Sequence, residues 1–261
     1  MSTEMPPHSD FMAFAETLAD QSRSMLLNAR QSAPDVALKA DASFVTATDK
    51  AVETALREMI LKTYPAHGIL GEEFDNINLD AEFVWVIDPI DGTAPFIAGI
   101  PVYGTLIGLA WRRKPFLGVI DHPATAERWV GVSHRFAQHN GSPVRVRPCA
   151  SMETALVTCS NSDFMSDAER TRFADIRKRA QYVQYGGSCY AYAVLSSGKT
   201  DLAIDGGLDP FDVYACAAVI EGAGGCVSDW NGNALTFDMV GNIVAAGDRA
   251  RLDEAVSILK T

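Results

Sequence analysis

The apolar run Phe83-Val-Trp-Val-Ile87 breaks off at Asp88-Pro-Ile-Asp91-Gly-Thr93, and this junction constrains the fold more than any other stretch. A short apolar run bounded by turn formers reads as a buried strand. Asp88 and Asp91 therefore stand where the chain leaves the core, and Pro89 and Gly92 force a turn there. Glu72 and Glu73 lie a short way upstream, behind Gly71. Acids gathered at an element end suit a hard cation such as Mg²⁺, which takes oxygen ligands and usually keeps some waters. A plainer reading is an Asx-turn that only shapes the chain.

Composition narrows the partners. With 22 Lys and Arg against 33 Asp and Glu, the 261-residue chain carries a net charge of −11. Nucleic acid rewards clustered basic surface, so it is an unpromising partner. The two dense basic runs read as solvated surface: Arg112-Arg113-Lys114 at a hairpin turn and Arg177-Lys178-Arg179 on a helix face. The cysteines, Cys149, Cys159, Cys189, Cys216 and Cys226, are odd in number and unpatterned, against a disulfide framework or a zinc site. No signal peptide is evident, and no apolar run approaches the ~18 residues of a membrane span. These features predict a soluble, cytoplasmic protein with no membrane partner.

The periodicity predicts one amphipathic helix through Phe11, Phe14, Leu18, Met25 and Leu26, ending before Pro34. A second runs from Lys50 to about Thr63, with Val52, Leu56, Met59 and Ile60 inward and the Glu53–Arg57 pair on the other side. Strands follow at 83–87, 105–110, 117–121 and 128–132, the middle two as a hairpin. The pattern changes near Ala150. Strands at 155–159, 182–184, 202–204, 227–230 and 243–246 then alternate with helices at 168–179, 190–196, 213–221 and from Arg249. An α+β half (1–150) joined to an α/β half (151–261) is the expected organisation.

Glu72, Asp88, Asp91, Asp205 and Asp212 form the candidate acidic set. Asp212 opens a helix, where Asp is a common N-cap. Gly92-Thr93 adds something the turn and cap readings leave out. A Gly-Thr pair starting a helix offers backbone N–H groups and a dipole suited to phosphate. Acids for a metal beside donors for phosphate are the parts of a metal-assisted phosphatase.

These blocks resemble the inositol monophosphatase superfamily: Gly71-Glu72-Glu73, Asp88-Pro-Ile-Asp91-Gly92-Thr93, and Phe211-Asp212 followed by Glu221-Gly-Ala-Gly-Gly225. Lys39 and Val45-Thr-Ala-Thr-Asp49 extend the match, which spans roughly residues 35 to 250. The resemblance implies a layered αβαβα sandwich, usually dimeric, hydrolysing small phosphate monoesters with two or three Mg²⁺ ions. Carried over, Glu72, Asp88 and the Ile90 carbonyl would hold one ion, and Asp88, Asp91 and Asp212 a second. Glu72 would contribute to a third, with Glu73 supporting it. Thr93 paired with Asp49 would orient the attacking water, Gly92 and Thr93 would bind phosphate, and Lys39 joins the catalytic set.

Three further segments look most like the histidinol-phosphate phosphatases of that superfamily, enzymes of histidine biosynthesis. They are Gly104-Thr-Leu-Ile-Gly108 leading to Gly118-Val-Ile-Asp-His-Pro123 and Glu127-Arg-Trp-Val-Gly131, then Tyr185-Gly-Gly-Ser-Cys-Tyr-Ala-Tyr192, and Glu221 to Trp230. Ser188 stands where that subfamily often carries an acid, Asp205 where a Glu is usual, and Ala94 where a polar or basic residue is more common. Ser188, Asp205 and Asp212 are the expected substrate-side residues. Inositol phosphate or another small polyol or sugar phosphate is the alternative substrate, and a non-catalytic regulatory protein the alternative class. A phosphatase for sulfated nucleotides is a more distant possibility, since that branch is generally longer. His122 is expected in a loop near the site, the glycines of 222–225 in a helix-ending turn, and Tyr190 and Tyr192 as packing residues.

Overall fold

Residues 7–31, 36–38, 44–238 and 241–260 are described by the computed structural model. Lys39 lies outside them. In chain order the elements are α1 (Ser9–Ala29), β1 (Val36–Leu38), β2 (Phe44–Thr46), α2 (Ala47–Thr63), β3 (Gly68–Gly71), β4 (Phe83–Asp91), α3 (Thr93–Ala98), β5 (Gly104–Trp111), β6 (Lys114–His122), β7 (Glu127–Val132), β8 (Phe136–His139) and β9 (Ser142–Pro143). They continue with β10 (Leu156–Cys159), α4 (Asp167–Arg179), β11 (Tyr182–Tyr185), α5 (Ser188–Ser196), β12 (Leu202–Leu208), α6 (Pro210–Gly222), β13 (Cys226–Asp229), β14 (Gly241–Ala246) and α7 (Arg249–Leu259).

A seven-stranded sheet runs β3-β4-β5-β6-β7-β8-β9, with only β3–β4 parallel. A five-stranded sheet runs β11-β10-β12-β14-β13. Both sheets are covered on both faces, which is why their strands read as continuous apolar runs rather than alternating ones. On β4, Trp85 and Ile87 pack toward α1 and α2, while Val84 and Val86 face α5 and α6. On β12, Ala203 joins that middle layer and Leu202 and Ile204 face α4 and α7. The order of layers is therefore α1/α2, sheet, α5/α6, sheet, α4/α7: the αβαβα sandwich.

Each large sheet comes from one side of Ala150, but the middle helices belong to both cores. Helix α6 lies directly on the seven-stranded sheet because Gly108, Gly118 and Gly131 sit side by side in register across β5, β6 and β7. A Cβ on Gly118 would stand 2.1 Å from the Ala215 carbonyl oxygen, and one on Gly131 2.5 Å from Val219 Cα. The three glycines form a backbone groove that seats the helix.

Several expectations are refined. Helix α2 starts three residues early, at Ala47, because Thr46 caps it in a box closed by Asp49. Its Glu53–Arg57 pair, expected on the outer side, is buried, with Glu53 wholly inaccessible and the two joined at 2.7 Å. The Arg112–Arg113 turn does close the β5–β6 hairpin, with both residues at positive φ. Strands β1, β2, β3, β8 and β9 are additional to those expected. Among the described residues no helix is long and apolar enough to cross a membrane.

Candidate active site

Strand β4 carries the site by a defect in its pairing. Asp88 opposes Leu106 and Asp91 opposes Gly104, so one extra residue bulges from β4 between the two acids. Such bulges re-aim side chains at strand ends. Thr105 pins the bulge by donating to the Pro89 carbonyl at 2.9 Å. Asp88 does form the Asx-turn, accepting the Ile90 N–H at 2.9 Å.

The bulge points Asp88 and Asp91 at the first turn of α6. Carboxylate oxygens of Asp88, Asp91 and Asp212 lie within 4.8 Å of one another. Asp212 is not the N-cap: Asp209 holds that position and Asp212 is the third helical residue, accepting the Asp209 N–H at 2.7 Å. Asp91 accepts the Cys189 N–H at 2.5 Å, from the start of α5. Each of the three acids thus has one oxygen fixed by a backbone donor, and the set is oriented by the fold itself.

Electrostatics make the cluster unfavourable on its own. Burial, then the Glu72, Asp91 and Asp212 carboxylates, hold Asp88 well above the usual carboxylate range. Burial raises Asp91 to about 6 against the opposing pull of Cys189 hydrogen bonds. Burial and Asp91 push Asp212 up as well. Like charges gathered this closely, one buried and two half-buried, favour either protons or a cation. An all-oxygen, multiply anionic donor set fits Mg²⁺.

Glu72 reaches Asp88 from the loop after β3, within hydrogen-bond range of its carboxyl. That loop hangs on the buried pair in α2. Glu53 accepts the Glu73 N–H at 2.7 Å, and Arg57 donates to the Phe74 and Asp75 carbonyls at 2.9 Å each. Gly71 is required here, since a Cβ would stand 2.2 Å from Glu53 Oε1. Sequence periodicity misses this support, because an i,i+4 ion pair carries no mark of burial.

Beside the acids, Thr93 donates to Asp49 Oδ1 at 3.3 Å and lies 3.2 Å from the Ile90 carbonyl oxygen. The other Asp49 oxygen takes the Thr46 N–H at 2.7 Å and the Thr46 hydroxyl at 2.5 Å. Thr46 is missed in the sequence, although Thr46-x-x-Asp49 is a capping-box signature. Gly92 precedes α3 with φ +81°, and a Cβ on it would meet Ser188 Oγ at 2.8 Å. Ser188 therefore stands directly against the Gly92-Thr93 turn.

Asp205 sits differently. It is 2% exposed in β12, with its oxygens taking the Ser160 N–H at 2.6 Å, the Ser160 hydroxyl at 3.3 Å and the Tyr192 hydroxyl at 2.8 Å. It braces β10 and α5 from beneath. His122 is not in a loop: it ends β6, is wholly buried, and burial pushes its imidazole down to about 4. Tyr190 and Tyr192 do pack, each also placing its hydroxyl on an acid, Glu127 and Asp205.

A chloroplastic bifunctional phosphatase of Arabidopsis thaliana is 38% identical over 96% of this chain and 75% of its own length. A histidinol-phosphatase of Chlorobaculum parvum is 35% identical over 79% of this chain and 80% of its own. The solved structure of an inositol monophosphatase from Zymomonas mobilis superposes with a TM-score of 0.88 at 32% identity, covering 98% of this chain and all of that one. The profile of the inositol monophosphatase family matches residues 8–260, and the chain belongs to that family.

Proposed function

We propose that this protein is a Mg²⁺-dependent phosphate monoester hydrolase whose preferred substrate is histidinol phosphate. The observation that carries the hydrolase reading is the convergence of Asp88, Asp91 and Asp212 within 4.8 Å, alongside the Thr93–Asp49 pair. Glu72, Asp88 and the Ile90 carbonyl would hold one ion, Asp88, Asp91 and Asp212 a second, and Glu72 would share in a third. Bound Mg²⁺ supplies a more acidic water and neutralises charge on the leaving alkoxide.

The chain's own groups supply the rest. The N–H groups of Gly92 and Thr93 hold phosphate oxygens. Asp49 Oδ1 accepts the Thr93 hydroxyl hydrogen bond, which leaves the Thr93 oxygen lone pairs to accept from the attacking water and aim it at phosphorus. The water oxygen bonds to phosphorus as the ester P–O bond breaks; the water's proton passes through the Thr93 hydroxyl to Asp49 Oδ1, and the departing alkoxide takes a proton from solvent water. Asp49 keeps its orientation throughout, because Thr46 holds its other oxygen with two donors. Glu73 supports Glu72 in the loop anchored by Glu53.

The substrate choice rests on the three sequence segments shared with histidinol-phosphate phosphatases and on the likeness to the Chlorobaculum parvum enzyme. Inositol 1-phosphate is the second reading, favoured by the likeness to the Zymomonas mobilis structure. The test is phosphate release with Mg²⁺ from histidinol phosphate, inositol 1-phosphate, glycerol 2-phosphate and an adenosine bisphosphate. A kcat/KM for histidinol phosphate ~10-fold above the others, about 1.4 kcal/mol of discrimination, is expected. The reverse order sinks the substrate choice, and release indifferent to Mg²⁺ sinks the hydrolase mechanism. A homodimer is part of the same proposal, checked by sedimentation.

A further inference from the structure

Two of the segments singled out in the sequence, Asp-His-Pro with Glu-Arg-Trp and Ser-Cys-Tyr-Ala-Tyr, meet in space at the start of α5. His122 and Glu127 are cross-strand partners at the β6–β7 end. Both reach the first turn of α5. His122 Nδ1 lies 2.9 Å from the Tyr103 carbonyl oxygen, which can only accept, so the ring proton is on Nδ1 and Nε2 is an acceptor. Cys189 Sγ stands 3.5 Å from that Nε2, within the range of a thiol hydrogen bond. The Tyr190 ring meets the His122 ring edge-on at 4.8 Å, and its hydroxyl donates to Glu127 Oε2 at 2.9 Å. Gly104 leaves the room: a Cβ there would be 3.1 Å from both Cys189 Sγ and the His122 ring.

This turn needs such support. Gly186, Gly187 and Ser188 enter α5 with φ of +79°, +128° and +46°. A left-handed non-glycine residue persists only where its surroundings over-determine it. The next residue, Cys189, gives its N–H to Asp91. We infer that His122 and Glu127 are positioning residues that clamp the first turn of α5, so that the Cys189 N–H holds Asp91 in the orientation a cation requires. The inference rests on the reading that Asp91 helps to hold Mg²⁺. Partners that orient a metal-binding carboxylate typically change metal affinity 10–100-fold when removed.

The test is calorimetric titration of Mg²⁺ into the substrate-free protein, with thermal unfolding in chelator measured alongside. His122→Asn keeps a donor for Tyr103 but removes the acceptor facing Cys189, and should weaken Mg²⁺ binding ~10-fold. His122→Gln carries an amide oxygen toward the Nε2 position and should return affinity to within ~3-fold of wild type. Tyr190→Phe and Glu127→Ala remove the same bond from opposite ends. Each should weaken Mg²⁺ by a similar factor, and the double variant by no more than either. If His122→Asn does not fold, the Tyr190 and Glu127 pair decides. Variants that melt earlier in chelator yet bind Mg²⁺ like wild type would make the contacts simple packing and overturn the inference. A wild-type protein that binds no Mg²⁺ overturns the reading of the acids, and the clamp with it.

Discussion

Gly118→Ala tests whether the glycine groove sets the position of Asp212. The added Cβ would lie 2.1 Å from the Ala215 carbonyl oxygen, 2.8 Å from its carbon and 2.9 Å from Ala215 Cα. All three are helix backbone, so no side chain can swing aside. Carbon–oxygen contacts settle near ~3.3 Å, and α6 must retreat by about 1 Å. Overpacking of this kind costs about 1–3 kcal/mol, or roughly 2–10 °C in Tm for a chain of this size. The larger effect should be on function. Asp212 is one helical turn from Ala215, and a misplacement of about 1 Å in a reacting constellation can cost ~10²-fold in rate. The assay compares kcat/KM and Mg²⁺ affinity for Gly118→Ala and for Gly141→Ala. Gly141 has φ +77° and no neighbour within 4 Å of a Cβ, so it pays backbone strain of about 1–2 kcal/mol without displacing anything. Gly141→Ala should lose stability and keep activity, while Gly118→Ala should lose ~10²-fold in kcat/KM and bind Mg²⁺ more weakly. Wild-type kinetics in a folded Gly118→Ala protein would refute the argument that the groove locates the acid.

Asp88→Asn should abolish Mg²⁺-dependent phosphate release while raising the metal-free Tm, since it removes a buried like charge; near wild-type turnover refutes the role given to Asp88. Thr93→Val should lower kcat by ~10²–10⁴-fold with little change in Mg²⁺ affinity, and Thr93→Ser should recover much of it, as read by steady-state kinetics and calorimetry. The folded-state pKa of Asp91, about 6, exceeds its unfolded value, so the folded state holds a proton that the unfolded chain has released. In chelator, stability should therefore be greatest below the unfolded pKa and fall as pH rises toward and through about 6, with Asp88 and Asp212 acting in the same sense. Saturating Mg²⁺ should remove that fall, and a chelated Tm that climbs across this window refutes the clustering of charge.

Much of the site is local in sequence and therefore legible there. Asp88, Asp91, Gly92 and Thr93 lie within one strand end, and the turn formers around them announce a break. Asp212 is legible through its place at a helix start, though its neighbour Asp209 is the actual cap. The supports are long-range and leave no such mark. Nothing in Glu53 or Arg57 says that the Glu72 loop will fold over them. The Cys189 N–H that holds Asp91 is a backbone group, identical in every non-proline residue. Asp205 reads as a substrate-side acid because its burial depends on Ser160 and Tyr192, which arrive from other elements. Gly108, Gly118 and Gly131 look like separate interruptions until strand register aligns them.

The atoms that make the plain structural contacts are the same ones that the proposed function uses. Asp88 makes an Asx-turn, Asp212 closes a capping box with Asp209, and Asp49 closes one with Thr46. Asp91 caps nothing in its own segment but receives a helix-start N–H from α5. In all four, a backbone N–H within 2.9 Å fixes one oxygen and with it the side-chain rotamer. An acid oriented only by a cation would lose its position whenever the cation left, and would have to be reordered at each binding event. Acids oriented by turns and helix starts keep their positions and carry their mutual repulsion instead. For Asp88, Asp91 and Asp212 the cost appears as raised pKa values, and on the proposed function its relief becomes part of the affinity for a cation. On this argument the local rules that make these residues look merely structural are what pre-organise the site.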